Sequence, residues 1–484
     1  MKAAGAPFSE ITNLFFGFLI SKIGWERKMT QTMDMTRGDP RRLMIRFSIP
    51  MLISSLFQQM YSMVDSAIVG RGISIRALAA IGSTGSLGYF IIGFLMGMTG
   101  GFAILYAQFF GAKNERGLCK AMAGTIRMGG LITAGIMTLS VIFIPQLLGL
   151  MNTPEDIWQD SYTYILITFL FMPAIMIYDV LASFLRSVGD SKTPLWAMVV
   201  STLTNLALDL LFVLIFSWGV MGAAVATGIA QVVAAVHCFA GVRKTKLLKF
   251  KKEDWSFDRS IDLRLIKLGL PLAFQTSVTA IGAIVLQRLV NGLGSLYTAA
   301  YTAASRIMYF AEMPGSCLGI AMATYSGQNT GAGLLNRVKQ GVREILPLSL
   351  GINLALGVLM CFFNTPLTAI FASPGELQEI LPYSRQMMIT QGTMKWVLGP
   401  LFIYRNALQG MGNTTAPMLS GFLELAVRIV VAYLLIGSLQ FLGLCLADVS
   451  AWVGAEIYLM IVYYRTIKKM INGRYHAPVS HNTV

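Results

Sequence analysis

Charge is the scarcest feature of this sequence: Asp, Glu, Lys and Arg together make up 13% of it, about half the share of an ordinary globular chain. A chain of 484 residues cannot wet a globular surface with so few charges, so much of its apolar surface must face lipid. Histidine is almost missing: His237, His476 and His481 are the only three, two of them in the tail, and they cannot assemble a zinc site. Cys119, Cys238, Cys317, Cys361 and Cys445 are scattered, odd in number and mostly set in apolar runs. That is the pattern of small buried thiols, not of a disulfide framework. No glycine-rich phosphate loop occurs, which excludes direct drive by ATP, and no stretch supplies a soluble catalytic domain. An enzyme embedded in the membrane is the alternative from another class, and the lack of a nucleophile or metal set argues against it. The chain is expected to be no enzyme and to carry no cofactor beyond a coupling ion.

What is abundant is apolar. The hydrophobic class reaches 55%. Runs of about 20 mostly apolar residues, the length that spans a bilayer, recur near 44–69, 78–110, 121–150, 160–187, 194–216, 219–240, 264–290, 297–326, 341–363, 381–408, 415–437 and 441–463. The sequence therefore predicts an all-α integral membrane protein with twelve transmembrane helices. The net charge of +15 does not indicate nucleic acid, because Lys and Arg cluster in alternate short connectors. Lys113, Arg116 and Lys120 form one such group, Arg337, Lys339 and Arg343 another, and Arg465, Lys468 and Lys469 stand in the tail. The opposite connectors hold Glu155, Asp156, Asp160, Glu376 and Glu379. The positive-inside rule puts both termini in the cytoplasm of a cell-membrane protein. Residues 1–40 precede the first span; the apolar run at 11–21 is too short to cross, and reads either as an interfacial segment or as the product of a misassigned translation start.

The chain repeats itself. FSIPMLISS at Pro50 returns as LGLPLAFQTS at Pro271, and AQFFGAKN at Gln108 as SGQNTGAG at Gln328. MNTPEDI at Pro154 returns as FASPGEL at Pro374, and LRSVGDSKTP at Pro194 as LQGMGNTTAP at Pro417. Four landmarks in one order, about 220 residues apart, define two six-helix lobes. The predicted division is 41–240 for the N-lobe, 241–263 for a basic cytoplasmic connector, 264–465 for the C-lobe and 466–484 for a tail. Each half holds an even number of spans, so the repeat is parallel, with its pseudo-two-fold axis along the membrane normal. Transporters use such repeats, placing substrate between lobes that rock. Each chain contains a complete two-lobe pathway and is expected to work as a monomer.

IPMLISSLFQQMYSMVDSAIVGR in the first span, LRSVGDSKTP before the fifth, NLALDLLF within it and GVMGAAVATGIAQ in the sixth resemble the multidrug and toxic compound extrusion (MATE) family. The resemblance runs from about Thr36 to Lys469. It implies two lobes around a V-shaped cavity and efflux of amphipathic, mainly cationic compounds in exchange for protons or sodium ions. It also points to Asp65, Asn205, Asp209 and Thr227 as an N-lobe cation site. The family's other arrangement places an acid in the seventh helix, and residues 268–290 contain none.

The same residues stand out independently. An ionisable group inside a span costs about 2.5–3.5 kcal/mol on insertion scales and is by default a functional candidate. Asp65 lies fifteen residues beyond Pro50 and Asp209 fifteen beyond Pro194. At 1.5 Å per residue each carboxylate rises roughly 22 Å above its proline, so the two share one depth. Asn205 and Asp209, four apart, lie on one helix face, and Thr227 can reach the same level from the sixth helix. Two carboxylates, an amide oxygen and a hydroxyl suit a sodium ion or a proton. Asp179, in the fourth span, falls in the inner half, either as a structural pair or as a second cavity charge.

The C-lobe has no copy of this set, since Asn205 maps to Arg428 and Asp209 to Ala432. Its spans carry Arg288, Arg306, Lys395, Arg405 and Arg428 against Glu312, Glu424 and a few other acids. Glu424 and Arg428 are spaced for a helix ion pair, and Arg405 is expected to snorkel to the cytoplasmic face. If Arg306, Lys395 or Arg428 faced the cavity, with Glu312 beside them, an anionic or lipid-linked substrate and a flippase activity would be the alternative. The 29 Met residues suit a pocket of broad substrate range, or simply lipid contact and helix packing. Gly93, Gly97, Gly100 and Gly101 are read as close-packing positions.

Overall fold

The computed structural model describes residues 32–473 except 152, 372 and 373. The apolar run at 11–21 and residues 474–484 of the expected tail lie outside the described residues, while residues 466–471, expected in the tail, continue the last helix. Twelve membrane helices follow in chain order. The N-lobe comprises α1 (Pro40–Gly72), α2 (Ile75–Gly111), α3 (Glu115–Ile142, with a short continuation Ile144–Leu150), α4 (Glu155–Leu170 and Met172–Ser187), α5 (Lys192–Asp209) and α6 (Gly219–Thr245). The C-lobe comprises α7 (Arg259–Leu293), α8 (Ser295–Gly331), α9 (Leu335–Phe362, then Asn364–Ala369), α10 (Pro374–Thr393 and Leu398–Gly410), α11 (Thr415–Leu439) and α12 (Phe441–Ile471). Eight of these are long and apolar enough to span alone, and the bent α4 makes a ninth. The other three are α1, α8 and α10; from Gly315 to Gly331 nearly every residue of α8 is buried.

Local chemistry sets the helix ends. Asp39, Ser74, Asn114 and Asp258 accept backbone N–H bonds at the starts of α1, α2, α3 and α7, the usual N-cap arrangement. Two expected spans are broken. α4 bends by 46° after Leu170, where Pro173 cannot donate to the preceding turn. α10 is interrupted by a 3₁₀ turn, Lys395–Val397, which carries Lys395 into the interior. α5 continues past Asp209 as a π-helical stretch, Leu210–Ile215, a local widening that often marks a functional position.

The lobes exchange their first helices at one end. Met35, just before α1, and Met44 and Phe47 at its start are buried in the C-lobe core with Tyr325, Val338 and Leu408. Ile261, Leu265 and Leu268 of α7 are buried in the N-lobe core with Phe102, Met122 and Met176. The seal between lobes at this end is symmetric. A Cβ on Gly111 would lie 1.9 Å from the Gln328 carbonyl oxygen, and one on Gly331 would lie 1.9 Å from that of Gln108. Gln108 Nε2 donates to the Gly410 carbonyl at 3.1 Å and Gln328 Nε2 to the Ser187 carbonyl at 2.9 Å. These are the glutamines that the internal repeat pairs.

Farther along, Gly93, Gly97 and Gly101 bring α2 against Thr276, Leu272 and Gly269 of α7, as expected of close-packing glycines, but nothing lies within 4 Å of Gly100, which lines the central chamber. Beyond that contact nothing lies within 4 Å of a Cβ on Gly82, Gly85 or Gly88, so that face of α2 is open. The connector is pinned beneath the N-lobe: Arg116 pairs with Glu253 and Asp254, Lys120 with Asp258, and Arg127 reaches both oxygens of Asp262 at 3.0 and 2.9 Å.

Candidate functional site

The four N-lobe residues singled out from sequence meet in space. Helix α1 supplies Asp65, α5 supplies Asn205 and Asp209, and α6 supplies Thr227. Asn205 Nδ2 donates to Thr227 Oγ1 at 3.3 Å. Ser201, one turn earlier on α5, donates to the Ala230 carbonyl at 2.8 Å and holds α5 and α6 in register. Asn205 and Asp209 are each 1% exposed. The Asp65 and Asp209 carboxyl groups stand within hydrogen-bonding reach of each other.

The arrangement is rich in acceptors and short of donors. Asp65 Oδ1, both oxygens of Asp209 and Asn205 Oδ1 are buried without a hydrogen-bond partner. Two ionised carboxylates cannot bond to each other, because both only accept. One proton between them closes a hydrogen bond, and one small hard cation would be met by oxygens from three helices. Leaving all four oxygens unmet is costly in a buried site.

Sequence reasoning passed over two neighbours. Tyr61, one turn before Asp65 on α1, places its hydroxyl 3.4 Å from Thr227 Oγ1. Tyr164 of α4 lies close to both carboxylates. The signal for Tyr61 was its spacing of four from Asp65; Tyr164 comes from a distant segment and left none. An apolar cluster of Ile68, Val69, Val213 and Val220 covers the site on one side.

The remaining candidates divide. Asp179 is 7% exposed and its Oδ2 has no partner; it lines a chamber of about 350 Å³ between the lobes, just above the seal. Among the described residues Asp179 has no ion-pair contact, and both readings, structural pairing and cavity charge, concern a residue in the chamber lining. Met51, Ser54 and Gln58 of α1 and Asn406 and Gln409 of α10 share that lining. None of the four N-lobe site residues does. Asp190, in the turn before α5, caps that helix through bonds from the Lys192 and Thr193 N–H groups at 3.0 Å; burial pushes its carboxyl up.

In the C-lobe the expected pairing is corrected. Arg428 does not pair with Glu424: its Nε donates to Asp448 Oδ1 at 2.8 Å, and Gln391 donates to the other oxygen at 3.1 Å. Glu424 binds Arg405 instead, so Arg405 does not snorkel to the surface but is drawn inward by a buried carboxylate. The helix spacing was favourable, but tertiary partners on α10 and α12 offered better-buried geometry. Asp448 was the missed residue. Lys395, 0% exposed, lies 3.7 Å from Glu312 Oε1. Arg306 is exposed on α8. Among the described residues no three His, Cys, Asp or Glu side chains cluster as a transition-metal site would require.

The MatE family model matches residues 50–211 and 271–434, two stretches offset by the same distance as the repeat. The chain is similar to the probable multidrug resistance protein YoeA of Bacillus subtilis, 30% identical over 439 residues that cover 88% of this chain and 94% of that one. It is also similar to the probable multidrug resistance protein NorM of Thermotoga maritima, 25% identical with 88% and 91% covered. A solved structure described as the outward-facing conformation of a multidrug resistance MATE family transporter of the MOP superfamily matches with a TM-score of 0.85 at 21% identity, covering 92% of this chain and 99% of that one. A twelve-helix, two-lobe membrane transporter scaffold, the repeat and these matches agree: the chain belongs to the MatE family.

Proposed function

We propose that this protein is a secondary antiporter that exports amphipathic, mainly cationic organic compounds in exchange for protons or sodium ions. The observation that carries the reading is the cluster of four partnerless buried oxygens on Asp65, Asn205 and Asp209, set apart from the interlobe chamber, whose lining includes none of these residues. Relatives named as multidrug resistance proteins support the substrate class. With a cation or proton bound the pair is neutral and the N-lobe adopts one packing; when the ion leaves, negative charge returns and a cationic compound is drawn in. An antiporter needs only that its two ligands favour competing states. The seal at the Gln108 and Gln328 end suits one state of an alternating-access cycle, with the basic connectors and both termini cytoplasmic by the positive-inside rule.

The alternative, export or flipping of an anionic or lipid-linked substrate, draws less support, because Lys395 and Arg428, which would serve it, already face Glu312 and Asp448. The test is uptake of a fluorescent organic cation into proteoliposomes driven by a proton gradient alone or a sodium gradient alone. Uptake under one of the two supports the reading; uptake under neither overturns it.

A further inference from the structure

Two arginines and two carboxylates meet at one end of a groove on the outside of the C-lobe. Asp39 and Arg41, at the start of α1, and Arg343 and Glu344, in α9, line a cavity of about 670 Å³ whose remaining wall is apolar. Arg343, Pro347, Gly351 and Ala355 follow at intervals of four along that wall, so the groove runs down one face of α9. Twelve residues of helix make it about 18 Å long, against about 15 Å for the hydrocarbon of one leaflet. A Cβ on Gly351 would meet nothing within 4 Å, so the groove is open at its middle. Helix α9 is apolar enough to span alone, and Leu354 and Val358 on it are exposed, so this side of the C-lobe faces acyl chains. The four charges do not cancel. Among the described residues every ion pair lies elsewhere. Asp39 Oδ1 accepts the Arg42 N–H and Glu344 Oε1 accepts from Gln340, both at 2.7 Å, which leaves the second oxygen of each carboxylate.

We infer that this groove is a binding site for phosphatidylethanolamine from the leaflet at the sealed end, with the phosphate on Arg41 and Arg343 and the ammonium on Asp39 and Glu344. A guanidinium presents paired N–H donors that match phosphate oxygens. An acyl chain then lies along Pro347, Gly351 and Ala355, where it covers apolar surface. The two acids decide the headgroup. A lipid with net negative charge would satisfy the arginines but set its excess charge against two carboxylates. Phosphatidylcholine carries the same two charges, but its quaternary ammonium has no N–H to donate to them. The site touches the seal: Arg337 of α9 donates to the Gly38 carbonyl at 2.9 Å, and the Met35 N–H donates to Gln328 Oε1 at 2.8 Å. A lipid held between Arg41 and Arg343 therefore braces the start of α1 against α9. The assignment does not rest on the exporter reading, because no residue of the groove lines the interlobe chamber or belongs to the Asp65 and Asp209 cluster.

The experiment is native mass spectrometry of the purified full chain, titrated with phosphatidylethanolamine, phosphatidylcholine or phosphatidylglycerol of one acyl composition, with the Kd of the first bound lipid as the readout. The wild type is expected to bind phosphatidylethanolamine about tenfold more tightly than either of the others, the scale of one charge-assisted contact. Glu344→Gln removes most of the preference over phosphatidylcholine and leaves phosphatidylcholine affinity unchanged, which also reports a folded protein. Arg343→Gln weakens all three lipids about tenfold. Gly351→Leu fills the groove without changing charge, at a position where the protein itself offers no clash, and weakens phosphatidylethanolamine and phosphatidylcholine alike. Equal wild-type affinity for those two lipids, a preference unchanged in Glu344→Gln, or phosphatidylethanolamine binding unchanged in Arg343→Gln or Gly351→Leu would each overturn the assignment. Phosphatidylglycerol bound most tightly of the three would overturn it as well, by making the groove a site for anionic lipid. No substrate or ion gradient enters the measurement, so failure of the antiport assay and failure of this one are separate results.

Discussion

Replacing Asp209 by Asn should make the protein more stable and inactive at once. Asp209 is 1% exposed, and neither of its oxygens has a donor. The amide of Asn has nearly the same shape, carries no charge, and brings two N–H groups beside the partnerless oxygens of Asp65 and Asn205. Relieving a buried unsatisfied charge is worth about 1–3 kcal/mol, so the thermal midpoint in detergent should rise. The wild type should gain stability when the coupling ion binds, about 2.7 kcal/mol at a hundred times its Kd. Asp209→Asn should not respond, because the charge that called for the ion is gone. Thermal unfolding of both proteins across pH without sodium, and across sodium at fixed alkaline pH, identifies the ion. Drug efflux under the matching gradient then checks function. Gradient-driven efflux retained in both Asp65→Asn and Asp209→Asn would refute the reasoning, as would an ion response unchanged in Asp209→Asn.

Thr227→Val removes the hydroxyl that receives bonds from Asn205 and lies near Tyr61; ion affinity should fall about tenfold, the worth of roughly 1.4 kcal/mol, as read by the same unfolding shifts. Gly111→Ala drives a methyl into the Gln328 carbonyl. Overpacking of this kind costs about 1–3 kcal/mol, and only in the sealed state, so a cysteine placed at the seal should label faster in that variant than in the parent. Asp448→Asn strands the Arg428 guanidinium, whose Nε bonds that carboxylate. Breaking one partner of a buried pair costs about 3–5 kcal/mol, whereas Arg428→Met with Asp448→Leu should recover most of the lost thermal stability.

Much of the architecture was legible because it was written twice. Twelve apolar runs and the near-constant offset between Pro50 and Pro271 or Gln108 and Gln328 needed no tertiary information. The N-lobe cluster was legible for a related reason: helical rise alone put Asp65 and Asp209 at one depth. Arg428 shows where that logic stops. Helical spacing identified Glu424 as a neighbour but could not weigh it against Asp448 on another helix, whose approach depends on how α11 and α12 pack. Lys395 was similarly opaque, since only the 3₁₀ break in α10 turns it inward. The exchange of α1 and α7 between the two cores also left no trace in a sequence read segment by segment.

The two lobes share a seal but not a charge plan, and this asymmetry bears on where a driving ion can act. In the C-lobe each acid of the ion-pair set meets a base: Glu312 meets Lys395, Glu424 meets Arg405, and Asp448 meets Arg428. A cation arriving at any of these three pairs would have to displace a resident one and leave it without a partner, at a cost of several kcal/mol; Glu456 on α12, whose Oε2 is buried without a partner, stands outside this set. In the N-lobe Asp65 and Asp209 have no basic partner, so positive charge enters without displacing anything. On the proposed reading, a gradient therefore changes the packing of one lobe and uses the other as a fixed wall. Seating a resident cation in the N-lobe is the direct test of this division. Asn205→Lys, which puts an ammonium on the face that already carries Asp209, should fill the site permanently and hold the protein in its ion-loaded conformation, with efflux lost and the ion response of thermal unfolding abolished. Efflux that still followed the gradient in Asn205→Lys would mean that the driving ion acts elsewhere.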